Sequence, residues 1–185
     1  MSPSIDTSFI KDCVKRFQYY KSLGDKTLQR LTTEDLRRQP DSESNSIAVI
    51  IQHLHGNMMS RWTNFLTEDG EKEWRKRDEE FEETQLFSKD QLLQLWEEGW
   101  QCMFSTLEQL SPEQLTHPIT IRGELMSAYD AILRQLAHYP YHVGQIVYVG
   151  RLYLGKNWES LSIPKEKGAS AAFNNSLKAA SSKKD

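Results

Sequence analysis

Only two cysteines occur in the chain, Cys13 and Cys102, and neither belongs to a Cys-x-x-Cys pair. A disulfide framework is therefore excluded, and two reduced, buried thiols are expected. No apolar run approaches the ~20 residues that a helical membrane crossing needs. The amino-terminal Met1-Ser2-Pro3-Ser4-Ile5-Asp6 lacks a basic region followed by an apolar stretch, so no secretory signal is expected. An excess of positive charge is missing too. The formal net charge of −3 argues against a generic nucleic-acid binder, because affinity for phosphate backbones rests on clustered Lys and Arg. There is no internal repeat, no Gly-rich phosphate loop and no Gly-x-Ser-x-Gly elbow. These absences leave a cytoplasmic protein with neither a nucleic-acid nor a membrane partner, and 185 residues suffice for one domain with its own core.

What is present is helical periodicity. A first helix is expected from about Ser8 to Leu31, with Phe9, Cys13, Phe17, Tyr20, Leu23 and Leu28 on its apolar side and Gly24-Asp25 as a point of loosening. Thr33-Glu34-Asp35-Leu36 reads as a short capped turn, and residues 40–45 as loop. Ser46 is placed to cap a second helix from Ile47 to about Leu66. Ser88-Lys89-Asp90-Gln91 has the capping-box spacing and opens a third helix that ends near Leu110. Ser127 caps a fourth, from Ala128 to about Leu154. Four long helices and a long crossover connection predict an all-α four-helix bundle spanning residues 1–165.

Three segments fall outside this pattern. Glu68 to Glu83 is highly charged, interrupted by Trp74 and Phe81. It reads as a solvated excursion between helices, the alternative being a lid or partner surface anchored by the two aromatics. Thr116 to Leu125 is β-branched and extended, and is expected to form a crossover strap rather than a sheet. Residues 166–185, rich in Ala, Ser and Lys, are expected to be a disordered tail.

The chemistry concentrates in the histidines. His138 and His142, in His138-Tyr139-Pro140-Tyr141-His142-Val143-Gly144-Gln145, are four apart and share one side of the last helix, where two imidazoles can grip one ion. Pro140 between them should kink the helix, freeing the Leu136 carbonyl; that carbonyl or a nearby side chain could take the outer N–H of a ligand ring. A third imidazole from a neighbouring helix would complete an open site of the catalytic kind. Gln52-His53-Leu54-His55-Gly56-Asn57-Met58 offers two candidates. Periodicity does not choose cleanly between them and slightly favours His55 as the more buried. His117, beside Pro118, reads as a surface residue.

The two histidine segments, in this order and separation, resemble the DinB/YfiT superfamily of small metal-binding bundles, and within it an uncharacterised bacterial branch. The resemblance runs from about Phe9 to Trp158. It implies one divalent metal ion held by three histidines, here His53, His138 and His142, with His55 at a variable flanking position. Three imidazoles suit Zn²⁺, Ni²⁺, Fe²⁺ or Mn²⁺.

Members of the superfamily include transferases that use low-molecular-weight thiols. The resemblance thus implies a metal-dependent thiol S-transferase of stress or detoxification chemistry, acting on a small-molecule substrate. Asn57, Arg61, Gln145 and Arg151 project from the ligand-bearing helices and are the candidate substrate contacts, the two arginines suited to a carboxylate of the thiol. A metal-dependent hydrolase is the second reading, but it needs a general base, and no carboxylate lies one turn from any of the three histidines. Glu124 on the strap is the one candidate to reach in. A third reading is a non-catalytic dimeric or metal-carrying protein. A homodimer is expected in any case, since five Trp and seven Tyr supply interface anchors.

Overall fold

Local hydrogen bonding fixes where most helices begin. In the computed structural model, which describes residues 5–82 and 86–181, α1 runs Ile5–Arg30 and α2 Thr33–Arg37. α3 runs Ile47–Trp62, α4 Lys89–Gln109 and α5 Ala128–Leu154. The Thr32 and Ser88 hydroxyls each accept from the backbone N–H three residues on, and Asp35 and Gln91 return the bond to the cap N–H. Ser46 accepts from the Val49 N–H, and Ser127 from that of Asp130. α3 stops at Trp62, four residues before the expected end, where Thr63 turns extended and Asn64 takes a φ of 50°.

α1 passes unbroken through Gly24. A side chain there would collide with the Trp96 indole at 2.5 Å, so the glycine admits Trp96, whose Nε1–H donates to Asp25 Oδ1 at 2.7 Å. The chain is predominantly helical, and its core lies among the four long helices. Phe17 of α1, Trp100 of α4 and Tyr139 of α5 meet with ring centroids 5.9–6.4 Å apart. Trp62 of α3 joins them by donating its Nε1–H to the Tyr139 hydroxyl at 2.9 Å, and that hydroxyl donates to Asn57 Oδ1 at 3.1 Å. Burying each such side chain contributes roughly 1.5–3 kcal/mol. Cys13 and Cys102 are free thiols, and burial pushes the Cys13 thiol up to about 11. No helix among the described residues is long and apolar enough to cross a membrane.

Two sequence expectations are corrected here. The strap forms an antiparallel ribbon, β1 Pro118–Ile121 with β2 Glu124–Ser127, in which Ile121 faces Glu124. The partner strand is the strap's own second half, folded back where Arg122 and Gly123 both take positive φ, 57° and 74°. Ile119 and Ile121 point inward and are buried. The charged stretch is no solvated excursion in its described part, through residue 82. Lys72 and Arg75 are buried within it, and its backbone is tied down at both sides. The Ser60 hydroxyl donates to the Gly70 carbonyl at 2.7 Å and accepts the Lys72 N–H at 3.0 Å. The Gly70 N–H donates to the Thr120 carbonyl at 2.8 Å. Charge did not keep this segment in water because each buried cation found an internal acceptor. Of its two aromatics, Trp74 stays exposed while Phe81 turns inward beside His53, with ring centroids 5.0 Å apart.

The chain divides into two units, Met1–Tyr153 and Leu154–Asp185. Within the second, α6 spans Ala169–Ser181, a helix in the segment where disorder was expected. Its alanine-rich composition favours a helix intrinsically, and its described side chains are exposed, apart from the half-buried Ala169.

Candidate metal centre

α5 sets the first half of the site. One helical turn separates His138 from His142, and α5 continues through Pro140 without interruption. Their Nε2 atoms lie 3.1 Å apart. α3 brings His53 across, its Nε2 3.5 Å from that of His138. One ring nitrogen from each of the three lies within 4.8 Å of the others, close enough to hold one metal ion. His53 is buried and the other two are half-buried. His55 turns away, its Nε2 3.4 Å from Glu98 Oε2. His117 is exposed and bonded to the Leu66 carbonyl at 3.1 Å.

The outer nitrogen of each clustered ring has its own oxygen acceptor. His142 Nδ1–H donates to Gln145 Oε1 at 2.8 Å, and His138 Nδ1–H to Gln135 Oε1 at 3.4 Å. His53 Nδ1–H donates to Glu80 Oε2 at 3.0 Å. The amides of Gln135 and Gln145, rather than the Leu136 carbonyl, serve the α5 pair. In neutral rings whose Nδ1–H points to these oxygens, the Nε2 atoms carry lone pairs, and none can donate to another. Burial holds His138 far down, to about 3, helped by repulsion from the Arg61 and Arg75 guanidiniums and from the His142 and His53 rings whenever these are protonated. Burial lowers His142 as well, opposed by its bond to Gln145. At neutral pH these two rings are neutral and available as ligands.

Glu80 is a member of the site that spacing along the chain did not reveal. It enters from a short 3₁₀ turn, Asp78–Phe81, in the charged stretch. Arg75 grips it with both ends, Nε to Oε1 at 2.7 Å and Nη2 to Oε2 at 2.8 Å. Burial raises the Glu80 pKa, but the bonds from Arg75 and His53 outweigh it and hold the group below the ordinary carboxylate range. Gly56 makes room for it, since a Cβ there would sit 2.1 Å from Glu80 Oε1. The glycine three residues after His53 was the one local hint, and a weak one.

The Nε2 cluster opens on a cavity of about 440 Å³. Of the proposed substrate contacts, Asn57 and Arg61 line it. Arg61 is already engaged, its Nη2 donating to Glu71 Oε2 at 3.0 Å and its Nη1 to the Gly70 carbonyl. Gln145 does not line the cavity; its amide oxygen accepts from His142 instead. Arg151 is exposed and absent from the wall. Nine residues past His142, at about 100° per residue, it lies half a turn around α5. Glu124 is exposed at the rim, 4.0 Å from Arg134, and does not reach in. Arg75, Arg77, Arg122 and Arg134 were missed as cavity residues because three separate segments deliver them.

A predominantly helical protein with a three-histidine cluster at the floor of an arginine-walled cavity is the class that fold and site define. The family model described as a protein of unknown function, DUF1572, matches residues 4–167, and the chain belongs to that family. No curated protein matches it.

Proposed function

We propose that the protein binds one divalent metal ion through His53, His138 and His142 and uses it in a reaction on a small molecule, in the first place the transfer of a low-molecular-weight thiol. The carrying observation is the lone-pair arrangement. The Nε2 atom of His138 faces that of His142 at 3.1 Å and that of His53 at 3.5 Å, with each outer N–H donated elsewhere. Facing lone pairs repel unless a cation lies between them. Nitrogens bound at ~2.0–2.1 Å to one ion sit roughly 2.9–3.4 Å apart, a range that includes the 3.1 Å pair and stops just short of the 3.5 Å one. Three neutral nitrogens fit Zn²⁺, Ni²⁺, Fe²⁺ or Mn²⁺.

When bound, such an ion supplies Lewis-acid chemistry and lowers the pKa of a thiol or water that joins it. The chain's own residues do the rest. Glu80, Gln135 and Gln145 hold the rings in one tautomer and orientation. Phe81 covers His53 and limits water. Asn57, fixed through Oδ1 by Tyr139, keeps its amide N–H groups for a substrate at the cavity wall.

Transfer ranks above hydrolysis because Glu80, the carboxylate at the cluster, is tied up by Arg75 and His53 and is no free general base. Thiol chemistry itself rests on the resemblance to the DinB/YfiT superfamily. A four-helix bundle with a crossover, a cytoplasmic location and a homodimer belong to the same reading. Exposed Tyr141, Tyr148 and Leu152 on α5 suit such a dimer. A cavity in front of the Nε2 cluster speaks for an enzyme over a passive metal carrier.

The test is metal analysis of protein purified without chelator or nickel resin, followed by conjugation of a small thiol to a model electrophile. About one ion per chain and metal-dependent conjugation, both lost in His142→Ala, are expected. Equal rates with and without metal would defeat the transferase, and absence of metal uptake by the folded protein would defeat the site.

A further inference from the structure

The cavity wall is one-sided in charge. Arg61, Arg75, Arg77, Arg122 and Arg134 all line it, and among the described residues no carboxylate does. The acids that partner these arginines stand behind the wall. Glu71 Oε2 takes Arg61 Nη2 at 3.0 Å and Arg122 Nε at 3.0 Å, and Glu80 takes Arg75. Among the described residues, the acids paired with Arg77 and Arg134 are exposed ones, Asp78 at 3.6 Å and Glu124 at 4.0 Å, and Arg77 also lies 4.9 Å over the Phe81 ring. Five guanidiniums against two half-buried carboxylates and two exposed ones leave the cavity an electropositive pocket, and a dication on the histidines would add to it.

Two of these arginines are also incompletely bonded. Arg61 is 5% exposed and the Arg75 side chain 1%, yet Arg61 Nε and Arg75 Nη1 are buried with no hydrogen-bond partner among the described residues. Arg75 Nη1 has only a longer ion pair, 3.6 Å from Glu71 Oε2. A buried guanidinium N–H without an acceptor is costly and uncommon; these two nitrogens have no accessible surface of their own, so a ligand oxygen at the wall bonds them only after a shift of the side chain. The cavity volume of about 440 Å³ lies within the ~300–1,000 Å³ of small-molecule sites.

From these observations we infer that the cavity contains an oxyanion subsite, and that the substrate is a small molecule whose carboxylate or phosphate head seats against Arg61 and Arg75 while its reacting end faces the histidine cluster. Arg77, Arg122 and Arg134 draw the anion in from the rim and are screened by salt. The orientation of the substrate rests on the metal-site reading above. The oxyanion subsite itself does not.

The two are separated by titrating chelator-treated, metal-free protein with inorganic phosphate and, separately, with malonate, in Tris buffer at constant ionic strength. Binding is read by calorimetry, and helicity is checked by circular dichroism. Glycerol is the neutral control, and zinc uptake is titrated apart, in buffer free of phosphate and malonate. Saturable binding of an anion and none of glycerol is expected. The affinity should fall about tenfold in Arg61→Gln and several-fold in the double variant Arg77→Gln/Arg134→Gln, whose exposed positions leave folding intact. Tighter phosphate binding assigns a phosphate-bearing substrate, and tighter malonate binding a carboxylate. No anion binding to folded protein, or unchanged affinity in the folded double variant, overturns the inference whether or not zinc binds. Failure of zinc uptake alone leaves the subsite standing and removes only the metal reading.

Discussion

Glu80 reaches across Gly56 to take a hydrogen bond from His53, Nδ1 to Oε2 at 3.0 Å, while Arg75 holds the same carboxylate from its other side. The pair joins a charged connecting segment to the histidine cluster. It also explains why a run of charges folds inward, since each buried charge in it has an opposite partner.

If this carboxylate orients His53, Glu80→Gln should weaken divalent metal binding by roughly 10–100-fold with little loss of helicity, the usual cost of removing such a partner. A zinc competition titration with a chromophoric chelator measures it. Affinity within twofold of wild type would show that His53 is held without Glu80.

Gly56 offers a test with two opposed signs. In a helix interior Gly→Ala ordinarily stabilises by ~1 kcal/mol through lower backbone entropy. Here the new Cβ would meet Glu80 Oε1 at 2.1 Å, so Glu80 must leave. Gly56→Ala is expected to lower the midpoint of urea unfolding and to weaken metal binding as Glu80→Gln does. A higher midpoint would mean that the 3₁₀ turn carrying Glu80 yields easily.

The histidine cluster should make the metal-free protein acid-sensitive. Burial, with the neighbouring charges, holds His138 at about 3 and lowers His142, while an imidazole in the unfolded chain titrates near ~6.5. The folded state therefore binds fewer protons. Its stability is complete above about pH 6.5 and declines as the pH falls toward 3. Urea midpoints at pH 7, 6 and 5 should drop in sequence, with a shallower slope in His138→Gln. An unchanged slope in that variant would assign the acid sensitivity to other groups.

Asp69 governs a second, more acidic window. Burial pushes its carboxyl up, but the N–H groups of Glu71, Gly123 and Arg122 outweigh this and hold it at about 2. An unfolded Asp titrates near ~3.9, so the contribution is present above that pH and is lost as the pH falls through about 2. Asp69→Ala should cost about 2 kcal/mol at neutral pH, the range for hydrogen bonds to a charged group. It should also loosen the Arg122-Gly123 turn, read as faster amide exchange in β1 and β2. Exchange at the wild-type rate would show that the turn closes without the carboxylate.

The elements legible in the sequence are those decided within a few residues. Ser46, Ser88 and Ser127 cap the helices they were expected to cap, because a cap is a bond from one side chain to a backbone N–H two or three residues away. His138 and His142 converge for a similar reason, as four residues are about one helical turn. The β1–β2 ribbon was missed because its partner strand lay beyond a turn whose signal, Arg122-Gly123, is weak beside Asn-Gly or Asp-Gly.

By itself the sequence determined the four long helices, most of their caps and the pairing of two imidazoles on α5, though not α6, since each depends on a repeat or bond shorter than five residues. Helical periodicity left His53 and His55 open, and the resemblance implied His53; its convergence with the α5 pair, the burial of Arg75 against Glu80 and the arginine wall were decided only when the chain folded. His53 and His138 are 85 positions apart and His53 and Glu80 are 27 apart. Contacts across such separations follow from how whole helices and connections pack, and no local periodicity encodes them.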